Sequence, residues 1–144
     1  MGRSVEWPGA WASAAKTVKR PVLLDTSFLI ALERETAAGL IGRARTFLPH
    51  LRGRRLVVSI VSVEEVLEGA TDEAGALASL QRFTVQGLHL AQAQRCALVQ
   101  RRASRRLGEH DAWLVATAES LDADVVGADR IAFERLGDRY LRFR

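Results

Sequence analysis

Short apolar runs alternate with segments of helical periodicity from residue 21 onward, and this alternation limits the possible folds more than any other feature. Short aliphatic runs are typical of strands buried on both faces, whereas apolar residues three or four positions apart are typical of helices packed on a sheet. Strands that alternate with helices predict an α/β fold, in which a parallel sheet is covered by helices on both faces. Five strands are expected, at residues 21–24, 56–59, 83–85, 124–127 and 140–143.

The expected helices occupy most of the chain between these strands. The longest is expected over residues 90–107, with Val99 and Leu107 on its apolar face and Arg105 pointing away from that face. A short helix is expected after Asp129. The other helices are expected at residues 27–35, 37–51, 63–69, 72–82 and 111–122.

The composition is that of one globular domain with a short extension. A chain of 144 residues with 48% hydrophobic residues is long enough to bury a core. Residues 1–20 are interpreted as an N-terminal extension and residues 21–144 as the domain. No apolar run approaches the roughly 20 residues that span a bilayer, and no signal peptide is evident. Cys96 is the only cysteine, which excludes a disulfide framework and a cysteine-based zinc site. We therefore expect a cytoplasmic protein without a membrane partner.

Four acidic residues occupy positions next to the ends of predicted strands or the starts of predicted helices. Asp25 ends the first strand, Glu65 follows the second strand by one helical turn, Asp111 opens a late helix and Asp129 follows the fourth strand. In open parallel sheets, ligands bind at the carboxyl ends of the strands, so these side chains are expected to converge there. Each residue also has a purely structural interpretation, because Asp is a favoured helix cap. Ser62 and Glu65 are spaced as in a capping box.

A convergence of four carboxylates has a chemical consequence. Two carboxylates about 5 Å apart repel by roughly 3 kcal/mol at an effective dielectric constant near 20. Either protons or a divalent cation must therefore neutralise the cluster. Oxygen ligands without His or Cys favour Mg²⁺ or Mn²⁺ over zinc. Together with a formal net charge of +4, which permits binding to phosphates, this site predicts a phosphodiester nuclease.

The same segments resemble the motifs of the PIN-domain ribonucleases, which include the VapC-type toxins of bacterial toxin–antitoxin pairs. "VLLDTSFLIALE" is similar to the first motif and carries Asp25, and "SIVSVEEVLEG" is similar to the second. In the second motif the resemblance selects Glu65 over its neighbour Glu64. "HDAWLVATAESLDADVVGADRIAF" is similar to the third and fourth motifs, with Asp111, Asp129 and an aromatic residue at Phe133. No single motif is specific, but all four occur in order at separations like those of the family.

The resemblance implies a three-layer α/β/α fold with a five-stranded parallel sheet of order 3-2-1-4-5. It implies Mg²⁺- or Mn²⁺-dependent cleavage of RNA, a homodimer, and an antitoxin protein that blocks the acidic groove. We therefore expect a metal-dependent ribonuclease, the toxin of a VapBC-type pair. Two positions depart from the family pattern: Gly127 stands where Thr or Ser is frequent, and His110 stands where Asn is common.

The four acidic residues are expected to be both the catalytic groups and the metal ligands: Asp25, Glu65, Asp111 and Asp129. Thr26 and Ser27 either contact a metal-bound water or phosphate, or do ordinary turn and capping work. His110 is not favoured as a general base, because neighbouring residues at a helix start point in different directions.

Four arginines that follow one another closely either bind RNA phosphates or form a solvated helix face: Arg101, Arg102, Arg105 and Arg106. Two rival functions differ in class from the nuclease. A haloacid-dehalogenase-like phosphatase needs a second Asp where this chain has Ser27, which disfavours that class. The alternative that stays open is a catalytically inactive PIN-like module that binds RNA or protein.

Overall fold

The structure is a computed structural model that describes residues 19–128 and 134–144. It contains one five-stranded parallel sheet of order β3-β2-β1-β4-β5, which confirms the predicted fold class and strand order. The strands are β1 Val22–Leu24, β2 Leu56–Ser59, β3 Thr84–Gln86, β4 Asp124–Gly127 and β5 Tyr140–Arg142. The helices are α1 Thr26–Ala38, α2 Arg43–Phe47, α3 Ile60–Glu68, α4 Glu73–Leu80, α5 Leu90–Arg102 and α6 Glu109–Leu121. Two 3₁₀ segments lie at Leu48–Leu51 and Glu134–Arg139.

The central strand β1 shows why this sheet has helices on both faces. Val22 and Leu24 belong to a core formed with α1–α4, while Leu23 belongs to a second core formed with α5 and α6. All three side chains have 0% exposure. Because successive side chains of a strand point to opposite faces, an uninterrupted apolar run is what a strand between two helical layers requires. Each of these side chains contributes roughly 1.5–3 kcal/mol by its burial.

The chain reverses its direction of travel across the sheet at β1. It continues from β1 to β2 and β3 on one side, and later returns to β4 and β5 on the other side. The carboxyl end of β1 is therefore the topological switch point, where a ligand crevice is expected in open α/β sheets. Asp25 follows β1 directly, and its backbone N–H donates to the Val126 carbonyl of β4 over 2.9 Å.

The predicted helix over residues 90–107 is too long, because α5 ends at Arg102. The Gln100 side chain explains the early end. Its Nε2 donates to the Leu107 carbonyl and its Oε1 accepts from the Leu107 N–H, both over 2.9 Å. These two bonds hold the segment after α5 against the helix and bring Leu107 onto the cores around α6. Arg105 consequently lies in a loop, not on a helix face.

The predicted helix over residues 37–51 is also wrong, because α1 extends to Ala38 and a separate helix α2 begins at Arg43. Gly39 adopts a left-handed conformation with φ 67°, which ends α1. The Glu35 carboxylate then accepts backbone N–H groups from Gly42, Ala44 and Arg45 over 2.9–3.0 Å, which starts α2. Most of the predicted extension and the whole segment 129–133, with Asp129 and Phe133, lie outside the described residues. In the described part of the chain, the helices are too short or too polar to cross a membrane.

Candidate active site

Asp25 is a buried carboxylate, with 7% of its surface exposed, at the switch point of the sheet. It occupies the position before α1, yet its side chain makes no capping hydrogen bond to that helix. Its Oδ2 instead accepts a hydrogen bond from the Ser27 hydroxyl over 2.8 Å. Burial raises the pKa of Asp25 above its ordinary value. The hydrogen bonds from Ser27 and from the Thr26 backbone act to lower the pKa but do not cancel the effect of burial. Helix capping therefore does not account for Asp25.

The two hydroxyl residues after Asp25 connect it to neighbouring elements. Ser27 Oγ accepts the N–H of Ala128, just after β4, over 3.1 Å, so Ser27 joins Asp25 to the end of that strand. Thr26 Oγ1 donates to Glu65 Oε1 of α3 over 2.6 Å and lies 2.9 Å from Ser62 Oγ. Because Thr26 has one hydroxyl proton, Ser62 donates to Thr26 when Thr26 donates to Glu65. The Ser27 hydroxyl thus binds the Asp25 carboxylate, and the Thr26 hydroxyl binds the Glu65 carboxylate. The predicted contact of these two hydroxyls with a metal-bound water or phosphate stays a prediction.

Glu65 is not part of the capping box that its spacing suggested. The helix α3 begins at Ile60, and Ser59 caps it by accepting the Val61 N–H over 3.1 Å. Ser62 is therefore inside the helix, with 0% exposure, and it carries the Thr26 contact in place of a cap. The Glu65 side chain is 37% exposed, so it lies between the protein interior and solvent.

His110 points toward these carboxylates, which corrects the expectation that it points elsewhere. Its Nε2 lies 3.1 Å from Glu65 Oε1, and its side chain is 27% exposed. His110 and Asp111 both act electrostatically on Asp25: His110 lowers the pKa of Asp25 and Asp111 raises it. Neighbouring residues in the first turn of α6 thus reach the same site.

Asp111 is the third residue of α6, and Gly108 takes the N-cap position, so the predicted N-cap role does not apply. A carboxylate in the first turn remains favourable for the helix dipole. The electrostatic effect of Asp111, which raises the pKa of Asp25, indicates that the two carboxylates are near each other. Of the four acidic residues predicted from the sequence, Glu65 thus bonds to Thr26, the residue after Asp25, and Asp111 acts electrostatically on Asp25. Asp129 lies outside the described residues.

The donor chemistry of this edge fits a hard divalent cation. The acidic groups supply carboxylate oxygens, and the ionised form of the buried Asp25 is the form that a cation stabilises. Within residues 19–128 and 134–144, however, no three or more His, Cys, Asp or Glu side chains are grouped so that they could hold a metal ion. The four-carboxylate set stays a prediction, since one of its members is Asp129.

A side chain at the position of Gly127 would be crowded by Asp25 and Tyr140. A Cβ atom at this position would lie 3.0 Å from Asp25 Oδ2, 3.1 Å from Asp25 Cβ and 3.2 Å from the Tyr140 hydroxyl. A Thr or Ser therefore cannot be placed here unless Asp25 or Tyr140 moves. The sequence interpretation missed Tyr140, because only the pairing of β5 with β4 brings this residue to the site.

The four arginines are exposed around the connection between α5 and α6. Arg101 and Arg102 form the last turn of α5, whereas Arg105 and Arg106 belong to the following loop. Arg106 also pairs with Glu109 over 3.3 Å. This loop leads into the first turn of α6, which carries Asp111. The positions allow contact with RNA phosphates as well as simple solvation, so RNA binding stays a prediction.

A parallel sheet of order 3-2-1-4-5 with an acidic side chain at its switch point defines an open α/β protein, a class in which ligands bind at the carboxyl edge of the sheet. A family model described as "PIN domain" matches residues 22–139, and the chain therefore belongs to the PIN domain family. This result confirms the resemblance found in the sequence. No curated protein sequence matches the chain.

Solved structures with the same fold include a toxin–antitoxin complex. A toxin–antitoxin complex from Klebsiella pneumoniae has 20% identity and a TM-score of 0.71, covering 85% of this chain and 98% of that one. DNA-bound VapBC from Salmonella typhimurium has 18% identity and a TM-score of 0.70, covering 88% and 100%. FitAcB from Neisseria gonorrhoeae has 16% identity and a TM-score of 0.64, covering 85% and 96%. At these identities the likeness establishes the fold.

Proposed function

We propose that this protein is a metal-dependent ribonuclease that hydrolyses RNA phosphodiester bonds. The observation that carries the proposal is Asp25, a buried carboxylate at the switch point of the sheet that does not cap the helix beginning beside it. Its raised pKa means that folding works against its ionised form. A buried carboxyl group with a raised pKa, at the place where a ligand crevice is expected, is typical of functional sites. Membership of the PIN domain family, whose members are generally nucleases, supports the same conclusion.

Mg²⁺ or Mn²⁺ would be held by Asp25, Glu65, Asp111 and Asp129. When bound, such an ion supplies a water of lowered pKa and stabilises charge on the phosphoryl oxygens. The chain's own hydroxyls orient these ligands, because Ser27 holds Asp25 and Thr26 holds Glu65. The exposed arginines near α6 would bind the RNA backbone through charge-assisted hydrogen bonds.

The test is cleavage of a mixed RNA substrate with Mg²⁺ or Mn²⁺, with and without a chelator. Asp25→Asn should abolish cleavage, because it keeps the shape of the side chain and removes the charge. Glu65→Gln should reduce cleavage strongly, and Glu64→Gln is its matched control. Glu64 neighbours Glu65 in the same helix but is exposed and pairs with Glu68. Equal cleavage rates for Glu65→Gln and Glu64→Gln would contradict the assignment of Glu65 to the active site. Asp129→Asn tests the fourth predicted ligand in the same assay.

The protein is further proposed to act as the toxin of a VapBC-type pair, in a cytoplasmic homodimer that an antitoxin inhibits. Support comes from the solved structures of the same fold, which are toxin–antitoxin complexes. A cavity of about 350 Å³ between α1 and α3 has Glu65 in its wall, together with Ile30 and Arg34. An antitoxin segment that enters this cavity would contact Glu65.

The small protein encoded next to this gene should therefore bind the chain and suppress cleavage. Light scattering should give twice the mass of 15.9 kDa.

A catalytically inactive module that binds RNA or protein is the second candidate. It is favoured by the finding that, in the described part of the chain, no three ligating side chains are grouped so that they could hold an ion. If the purified protein binds RNA but leaves it intact with either metal, the binding function is correct and the nuclease proposal is wrong.

A further inference from the structure

Another cavity lies at the amino edge of the sheet, opposite the edge at which Asp25 follows β1. Its volume is about 780 Å³, and its wall includes Leu56 and Thr84, the first residues of β2 and β3. Because the paired strands are all parallel, their first residues lie at the other edge from the residues that follow them. Small-molecule sites typically have volumes of about 300–1,000 Å³. The cavity is therefore of the right size for a small ligand and is separate from the candidate active site.

The buried part of the cavity wall is apolar. It includes Leu32 of α1, Leu51 of the 3₁₀ segment before β2, and Phe83 just before β3. These residues have exposures of 2%, 2% and 9%, and all three belong to the core formed with α1–α4. A ligand that enters the cavity would thus cover apolar surface of the core, which favours a ligand with an apolar part.

The rest of the wall is positively charged. Four arginines line the cavity, and among the described residues no Asp or Glu does: Arg45, Arg52, Arg54 and Arg82. Arg54 is neutralised, because its guanidinium binds Asp124. Arg52 and Arg82 form no ion pair with any carboxylate in residues 19–128 and 134–144, so their charges are not compensated there.

Arg45 and Arg82 are partly held in place and still have hydrogen-bond donors for a ligand. Arg45 Nη1 donates to the Leu40 carbonyl over 2.9 Å, and the Arg82 guanidinium lies 4.8 Å from the centre of the Phe83 ring. Arg45 also acts electrostatically on Glu35, whose carboxylate already accepts three backbone N–H groups. A guanidinium has five N–H donors, so one hydrogen bond leaves the others available.

We propose that this cavity binds a free nucleotide, with its phosphates on the arginines and its base on the apolar wall. Guanidinium groups bind phosphate oxygens through paired N–H donors, and a diphosphate or triphosphate carries enough negative charge to engage several arginines together. The apolar wall adds a preference for a nucleotide over inorganic phosphate, because only the nucleotide has a base to bury. This site does not depend on the proposed ribonuclease function, since its residues lie away from Asp25 and Glu65.

The experiment is calorimetric titration of the full-length protein with ADP in the presence of a chelator. The chelator prevents phosphate binding through a divalent cation at the carboxyl edge. The wild type should bind ADP, adenosine should not bind, and pyrophosphate should bind at least about tenfold more weakly than ADP because it has no base. Arg52→Gln and Arg82→Gln should each weaken ADP binding by about tenfold, because each removes a charge-assisted hydrogen bond.

Arg55→Gln is the matched control. Arg55 is an exposed arginine of the same segment as Arg52, but it does not line the cavity. The control removes the same charge and should bind ADP as the wild type does. Equal losses of ADP affinity in Arg52→Gln and Arg55→Gln would overturn the inference, because they would show attraction to net charge alone.

Three other results would also overturn it: no ADP binding by the wild type, pyrophosphate binding as tight as that of ADP, or tighter binding of a short single-stranded RNA. Asp25→Asn separates this site from the proposed active site. This variant should lose RNA cleavage and keep wild-type ADP affinity, whereas Arg52→Gln should lose ADP affinity and keep cleavage. Failure of either proposal therefore leaves the other standing.

Discussion

Thr26→Val should destabilise the protein more than the same substitution made elsewhere in α1. The Thr26 hydroxyl donates to Glu65 over 2.6 Å and contacts the Ser62 hydroxyl over 2.9 Å. This side chain therefore links the first turn of α1 to α3. Valine preserves the branched shape of threonine, so the substitution removes the hydrogen bonds with little change in side-chain volume.

The expected loss follows from the two bonds. A hydrogen bond to a charged acceptor contributes roughly 1.5–3 kcal/mol when it is shielded from water. The Glu65 side chain is 37% exposed, so water replaces part of the lost bond and the lower end of that range applies. Ser62 has 0% exposure and loses its acceptor, but its hydroxyl can turn to a carbonyl of its own helix. We therefore expect Thr26→Val to lower the free energy of unfolding by about 1–2 kcal/mol.

Urea denaturation of the metal-free protein measures this difference. Thr36→Val is the matched control, because Thr36 belongs to the same helix, is exposed, and donates only to the Leu32 carbonyl one turn earlier. The control should change the free energy of unfolding by less than about 0.5 kcal/mol. Equal midpoints for the two variants would refute the argument that Thr26 joins α1 to α3. The Thr26 variant should also cleave RNA more slowly, since Glu65 loses its orienting donor.

Three further predictions concern charged side chains. Asp25→Asn should make the metal-free protein more stable than the wild type near about pH 8, because burial disfavours the ionised carboxylate. Because the pKa is raised, the wild type should regain stability relative to this variant as the pH falls through that pKa toward the ordinary value of 3.8, and a stability difference that stays constant from about pH 8 down to that value would disprove it. Arg54→Met should lower the free energy of unfolding by about 2 kcal/mol in urea denaturation, because the Arg54 side chain is 14% exposed and its guanidinium binds both the Arg20 carbonyl and Asp124. An unchanged midpoint would contradict this role. Glu35→Gln should destabilise the start of α2. Desolvation acts to raise the pKa of Glu35, but the three backbone N–H donors outweigh it and lower the pKa. The advantage of the wild type over Glu35→Gln, measured by thermal melting, should therefore be present above about pH 4.3 and disappear as the pH falls through the lowered pKa.

The sequence pattern was sufficient to predict the parallel sheet. β2 and β4 begin and end at the predicted residues, because a buried parallel strand must be apolar on both faces and the sequence displays this directly. The position of Asp25 after β1 follows from the same pattern. The sequence pattern did not predict the side-chain contacts between segments that are far apart along the chain. The link from Thr26 to Ser62 and Glu65 joins residues 36 and 39 positions apart, and no periodicity records such pairs.

Local sequence thus determined where the strands lie and roughly where the helices lie, since short-range periodicity reports how each segment is buried. It also placed a carboxylate at the end of the central strand. The tertiary structure alone decided what each carboxylate contacts. The early end of α5 depends on Gln100 reaching Leu107, and the space beside Asp25 depends on Gly127 and on Tyr140 from the last strand. These features arise from packing between segments that are far apart along the chain, and only the folded arrangement brings those segments together.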